Sequence, residues 1–119
     1  MLDEALGVTS TQAQTVALNC NKLGMDSFDA GQPESALFYL KKGYRVAEAD
    51  VHCLKLKAVS CNNLACVYNA LQRPKKALQY LLKALDCEYQ LSDLACAAAT
   101  HLNLSAVSSG SDAPSDWIP

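Results

Sequence analysis

Three prolines divide this chain almost evenly. Pro33 and Pro74 stand 41 residues apart, and Pro114 follows 40 residues later. The residues around them recur in the same register. Ala36-Leu37 returns as Ala77-Leu78, and Tyr39-Leu40 returns as Tyr80-Leu81. Upstream, Leu23 returns as Leu64 and then as Leu104. A period of this length describes an array of similar units, each burying a face on the next, rather than one domain built around one active site.

The punctuation of each unit predicts a helical hairpin. Candidate N-caps lie at Thr9 to Thr11, at Asp50 and at Ser92. Thr9 with Gln12, or Thr11 with Gln14, has the spacing of a capping box. A helical pattern of about twenty residues follows each cap and ends at Ala30-Gly31, Leu71-Gln72 and Ser109-Gly110. Then comes a short turn and a proline, which the first turn of a helix tolerates because its N–H would lack a partner there. The predicted helices are 11–30, 33–48, 51–71, 74–88 and 92–109. Val16, Cys20, Leu23 and Ser27 share one face of the first helix; Lys57, Cys61, Leu64 and Tyr68 are their counterparts. No segment alternates long enough to read as a strand.

Leu23-Gly24, Gly31, Ala36, Leu40 and Gly43 in unit one resemble the tetratricopeptide repeat. Unit two matches better, through Leu64-Ala65, Tyr68, Ala77, Leu81 and Ala84, and unit three matches at Leu104-Ser105. The small residues at 24, 65 and 105 let paired helices approach closely. The family's usual unit is about 34 residues. The surplus here is close to two helical turns, which keeps the packing face in phase and lengthens the first helix of each pair. With Asn62-Asn63-Leu64-Ala65, this longer period looks most like the kinesin-light-chain variety. The resemblance implies an all-α fold, a right-handed superhelical stack of antiparallel hairpins with about five helices. Residues 1–10 are then a lead-in, and 11–110 the repeats, in units of about 11–49, 50–90 and 91–110. Residues 111–119 are a tail or the start of a truncated hairpin, because Trp117 falls where Ala36 and Ala77 stood.

The resemblance also implies a concave groove lined by the first helices, which binds a peptide or helix. Its positions are Asn21, Met25 and Phe28 in unit one, Asn62, Cys66 and Asn69 with Asn63 beside them in unit two, and Leu102, Asn103 and Ala106 in unit three. An asparagine both donates and accepts, so it suits the backbone of an extended peptide. It suits equally the cross-linking of neighbouring helices, and both readings of Asn62 and Asn63 stand. Met25 and Phe28 are either apolar anchors or core. The grip that some members use on a C-terminal carboxylate needs Lys, Asn and Arg. Here those places hold Asn21, Met25, Asn63, Ala99 and Asn103, and only Asn63 fits.

Other functions find less support. Cys20, Cys61 and His101 occupy one slot of successive units, which marks a packing position rather than a nucleophile with its base. No enzyme activity and no small-molecule substrate are expected. The six cysteines form no Cys-x-x-Cys and have no zinc spacing, so no cofactor or metal is expected, and a reducing, cytoplasmic setting is. No apolar run spans a bilayer, and no membrane partner is expected. Net charge is −2, with the basic residues concentrated in 33–91. A nucleic-acid partner such as RNA is disfavoured by the lack of aromatic residues placed for stacking near those bases. The stretch from Leu94 to Ser111 carries no Asp, Glu, Lys or Arg. Terminal units normally show a polar outer face. A homodimer through 92–109 is therefore the alternative to a peptide partner.

Overall fold

The computed structural model describes residues 10–110. Five α-helices follow one another: α1 (Ser10–Asp29), α2 (Pro33–Glu48), α3 (Leu54–Ala70), α4 (Pro74–Gln90) and α5 (Leu94–Ser108), with a 3-10 turn, Val51–Cys53, leading into α3. No strand occurs among the described residues. Trp117 and the rest of the expected tail lie outside them, as does Thr9.

α1 packs on α2 and α3 on α4 as hairpins. α2 then packs on α3, and α4 on α5. The core lies where the hairpins meet: Ala36, Leu40, Tyr44, Leu64, Ala65, Tyr68, Ala77, Leu81 and Ala84 form one buried cluster. Small residues set how closely the helices approach. A Cβ on Gly24 would stand 2.6 Å from Leu40 Cγ. The register position in the second hairpin, Ala65, carries its methyl fully buried. Leu23 and Val16 break the pattern, being exposed while Leu64 is buried. Leu64 has α2 to pack against, and no hairpin precedes α1 among the described residues.

The helices end where the chain turns left-handed. Gly31, Gln72 and Ser92 have φ of 77°, 60° and 55°. Behind Gln72, Arg73 N–H reaches the carbonyl of Tyr68 at 2.9 Å and Gln72 N–H that of Asn69 at 3.0 Å, which closes the last turn of α3. The same pair of bonds follows α1 and α4. Ser92 is therefore not an N-cap. It is spent on ending α4, and the next residue, Asp93, caps α5 by accepting from Cys96 N–H at 3.2 Å. Asp50 caps as expected, accepting from His52 N–H at 2.9 Å. The pairing of Thr11 with Gln14 does not form, because α1 already begins at Ser10 and the Gln14 amide reaches instead to the carbonyl of His52 at 3.4 Å.

Candidate functional site: the face of the first helices

α1, α3 and α5 hold the sequence-predicted groove positions. Asn21 lies buried on α1 and donates to its own helix at Ala17 O, 3.0 Å. The same Nδ2 meets Ser60 Oγ on α3 at 2.8 Å, and Asn21 Oδ1 accepts from Asn63 Nδ2 at 3.0 Å. One unit later the arrangement is repeated. Asn62 donates to Ala58 O at 3.5 Å and to Thr100 Oγ1 on α5 at 3.3 Å, and its Oδ1 accepts from Asn103 Nδ2 at 3.4 Å. An asparagine of one unit thus bonds a hydroxyl and an asparagine of the next, twice over, and the first helices are laced together by side chains. The register position on α5 is Leu102, which is exposed, so the ladder ends there.

The other predicted positions divide by burial. Met25 and Phe28 are half-buried and pack on the core cluster. Asn69 and Asn103 are buried, and Ala106 is half-buried. Cys66 is buried, and burial, with Asp29 nearby, pushes its thiol up to about 11. Cys61 is pushed up to about 12 by burial first, then by Cys87. Such a thiol stays protonated at neutral pH and is no nucleophile. His101, the third member of that slot, is bonded through Nε2 to Tyr89 Oη at 3.0 Å. All six cysteines are free, and among the described residues no three His, Cys, Asp or Glu converge as a metal site.

Between α3 and α5 the face opens into a cleft of about 160 Å³. Ala58, Val59 and Ala99 supply its apolar wall; Lys55, Asn62, Asn63, Thr100 and Glu88 supply its polar groups. Glu88 reaches in from α4 and is only 3% exposed. Thr100 Oγ1 donates to its Oε1 at 2.6 Å, and Asn62 Nδ2 to its Oε2 at 3.3 Å. Burial raises the Glu88 carboxyl above its ordinary range, against the opposing pull of the Thr100 hydroxyl and the Lys55 charge. At the mouth, Lys55 Nζ bonds Asp93 Oδ2 at 2.9 Å and Cys96 Sγ at 3.1 Å. The Lys55 bond first, then the bonds from the Cys96 side chain and N–H, hold Asp93 down at about 2. Sequence reasoning missed Glu88, Thr100 and Ser60. The signal was there: Glu88 stands in register with Ala47, a carboxylate in a slot that the first hairpin fills with a methyl.

On the α2–α4 side the basic middle of the chain sits on aromatic rings. Tyr68 stacks on Tyr80 with centroids 5.7 Å apart. Lys83 lies 5.3 Å from the centroids of both Tyr44 and Tyr80, and Lys41 and Arg73 lie over Tyr68. The expected lack of aromatic residues near the bases is thus corrected. Yet Tyr44 and Tyr68 are buried, so neither ring offers a base an open face.

Comparison with known proteins agrees with the hairpin geometry at one place. No curated protein sequence and no solved structure matches the chain. A family model described as tetratricopeptide repeat matches residues 58–88, from the second turn of α3 to the last turn of α4. At its centre, therefore, this all-α chain carries a tetratricopeptide repeat.

Proposed function

We propose that this chain is a non-catalytic protein–protein interaction scaffold that receives a peptide or short helix along the face of α1, α3 and α5. The observation that carries this reading is the cleft between α3 and α5, where apolar walls and convergent polar groups open on that face. The asparagine ladder supports it indirectly. By fixing the spacing of the first helices, Asn21, Asn62, Asn63 and Asn103 keep the groove's shape before any partner arrives, and preorganisation lowers the cost of binding. Met25 and Phe28 offer half-buried apolar surface at the α1 end. Burial of the Cys61 and Cys66 thiols, pushed up to about 12 and about 11, favours a packing role for them over nucleophilic catalysis; a cytoplasmic setting is part of the same proposal. Among the described residues no helix is long and apolar enough to cross a membrane.

Peptides selected from a random display library against the full chain test the reading. Titrated into isotopically labelled protein, they should shift backbone resonances of α1, α3 and α5. Shifts confined to α2 and α4, or no selectable peptide, would overturn it. A second reading, self-association, is favoured by α5. Leu94 and Leu102 are 68% and 58% exposed on a helix without a charged residue. Sedimentation should then show a dimer that Leu102→Glu dissociates; a monomer at all concentrations removes this second reading.

A further inference from the structure

We propose that the cleft between α3 and α5 is a cation-recognising subsite that takes the ammonium of a lysine side chain from the bound peptide; this rests on the scaffold reading above.

Glu88 is the one carboxylate among the groups lining this cleft. A carboxylate almost wholly removed from water is costly unless paired. Its partners here are neutral: the Thr100 hydroxyl at 2.6 Å and the Asn62 amide at 3.3 Å. A carboxylate has about four acceptor sites, so capacity for further donors remains. The nearest candidate counter-ion, Lys55, is already engaged by Asp93 at 2.9 Å and Cys96 at 3.1 Å. Among the described residues no ion pair forms to Glu88. The fold does not demand the charge, because Ala47 fills the same register position in the first hairpin and is equally buried. The two bonds of Glu88 tie α4 to α3 and α5, but the first junction is tied without any carboxylate, so the charge exceeds what the ladder requires and marks a functional group.

The shape and charge of the cleft then select the ligand. Its volume, about 160 Å³, is below the roughly 300–1,000 Å³ of pockets that take a whole small molecule. That admits the end of one side chain and not a folded element. Ala58, Val59 and Ala99 would cover a methylene stem while the charged tip reaches Glu88, the way long basic side chains divide between apolar and polar surroundings. A compact ammonium with three donors suits a carboxylate whose flanks are already occupied. Lys55 does not repel it strongly, since Asp93 offsets that charge at the mouth. An anionic side chain would meet the Glu88 carboxylate.

Peptides selected against the full chain are resynthesised with each lysine replaced in turn by norleucine, which keeps the stem and removes the charge. One replacement should weaken binding about tenfold in the wild type and less than about twofold in Glu88→Gln, as expected for a charge-assisted contact in a desolvated site. Selected binders without lysine, or an equal loss in both proteins, would overturn the subsite while leaving the scaffold reading intact. Failure of any peptide to bind would remove both. A measurement needing no variant runs beside it: n-butylammonium titrated into the wild type should shift the Asn62 side-chain amide and Thr100 resonances, and 1-butanol should not. Equal shifts from the two probes would also overturn the proposal.

Discussion

At the α1–α3 junction, Asn21 ties two helices through Ser60 and Asn63, and the register slot on α2 holds Ala47. At the α3–α5 junction, Asn62 does the same through Thr100 and Asn103, but the slot on α4 holds Glu88. α1 and α3 also make closer backbone contact than α3 and α5. The first junction has no buried carboxylate; it too opens, near the 3-10 turn, into a cleft lined by Gln14, Leu18, His52 and Leu56. The second keeps the same ladder, adds a buried carboxylate and an ion pair at its rim, and leaves a cleft. Two copies of one design show which parts hold the array together, namely those present in both, and which parts belong to one place only.

The largest test of that division is the ladder itself. Asn21→Ala strands the Ser60 hydroxyl and the Asn63 amide, and Asn62→Ala takes one bond each from Thr100 and Asn103 and leaves Oε2 of Glu88 without its donor. Each should lower unfolding stability by roughly 2–3 kcal/mol, since unsatisfied buried groups bear their full desolvation cost. Asn62→Ala should be the worse because a charge loses a donor. Denaturant midpoints with unchanged slopes check this. Near-neutral effects at both sites would mean that the repeated bonds do not hold the helices together.

Next in size is the contrast between Gly24 and Ala65. Gly24→Ala puts a methyl 2.6 Å from Leu40 Cγ, and Leu40 is fully buried, so the core must shift. A loss of about 2 kcal/mol is expected by thermal or denaturant melting, within the usual range for overpacking. In the second hairpin that methyl is already present and accommodated.

The two turns after α3 and α4 predict a smaller gain. Gln72 and Ser92 adopt φ of 60° and 55°, where glycine is at ease and other residues are not. Gln72→Gly and Ser92→Gly should each raise stability by about 1 kcal/mol. Gly31 already serves after α1, so Gly31→Ala should lose a similar amount.

Much of this was legible in the sequence. The proline period and the helix-end signals gave five helices within a few residues of their observed ends, whereas of the small residues at 24, 65 and 105 only the first two are buried, Ser105 being exposed on the last described helix. Ser92 was misread because a serine before a helix looks like a cap, whereas the left-handed turn that ends α4 leaves capping to Asp93. The exposure of Leu23 was hidden because periodicity assigns equivalent faces without saying what stands opposite. The asparagines were recognised as a set on one face. Whether their amides meet a peptide or one another depends on distances between helices that no spacing within one helix encodes. Glu88 escaped because attention to matching positions passes over the mismatch with Ala47.

The subtlest difference between the junctions is electrostatic, and it separates by pH. Burial raises the Glu88 carboxyl above its ordinary range, so over that interval the folded state holds more protons than the unfolded one. Stability must therefore fall as pH climbs from the ordinary carboxylate range through the raised value. Glu88→Gln keeps the size of the side chain without the charge, turns one of its two acceptors into a donor, and should flatten that fall. Asp93 has the opposite sign. Held at about 2 against an ordinary 3.8, it contributes stability that is complete above the ordinary value and lost as pH drops toward 2. Asp93→Asn should remove that acid-side loss and slightly lower stability at neutral pH, because Lys55 loses its partner. Asp50, the cap of the other junction, is also lowered, chiefly by the His52 N–H, with no lysine to help. Asp50→Asn should thus show the same acid signature as Asp93→Asn but less of it. Melting temperatures of the three variants from pH 2 to 8 check all three signs. A Glu88→Gln profile superimposable on the wild type would mean that the buried carboxylate titrates like an exposed one, and that the second junction is electrically no different from the first.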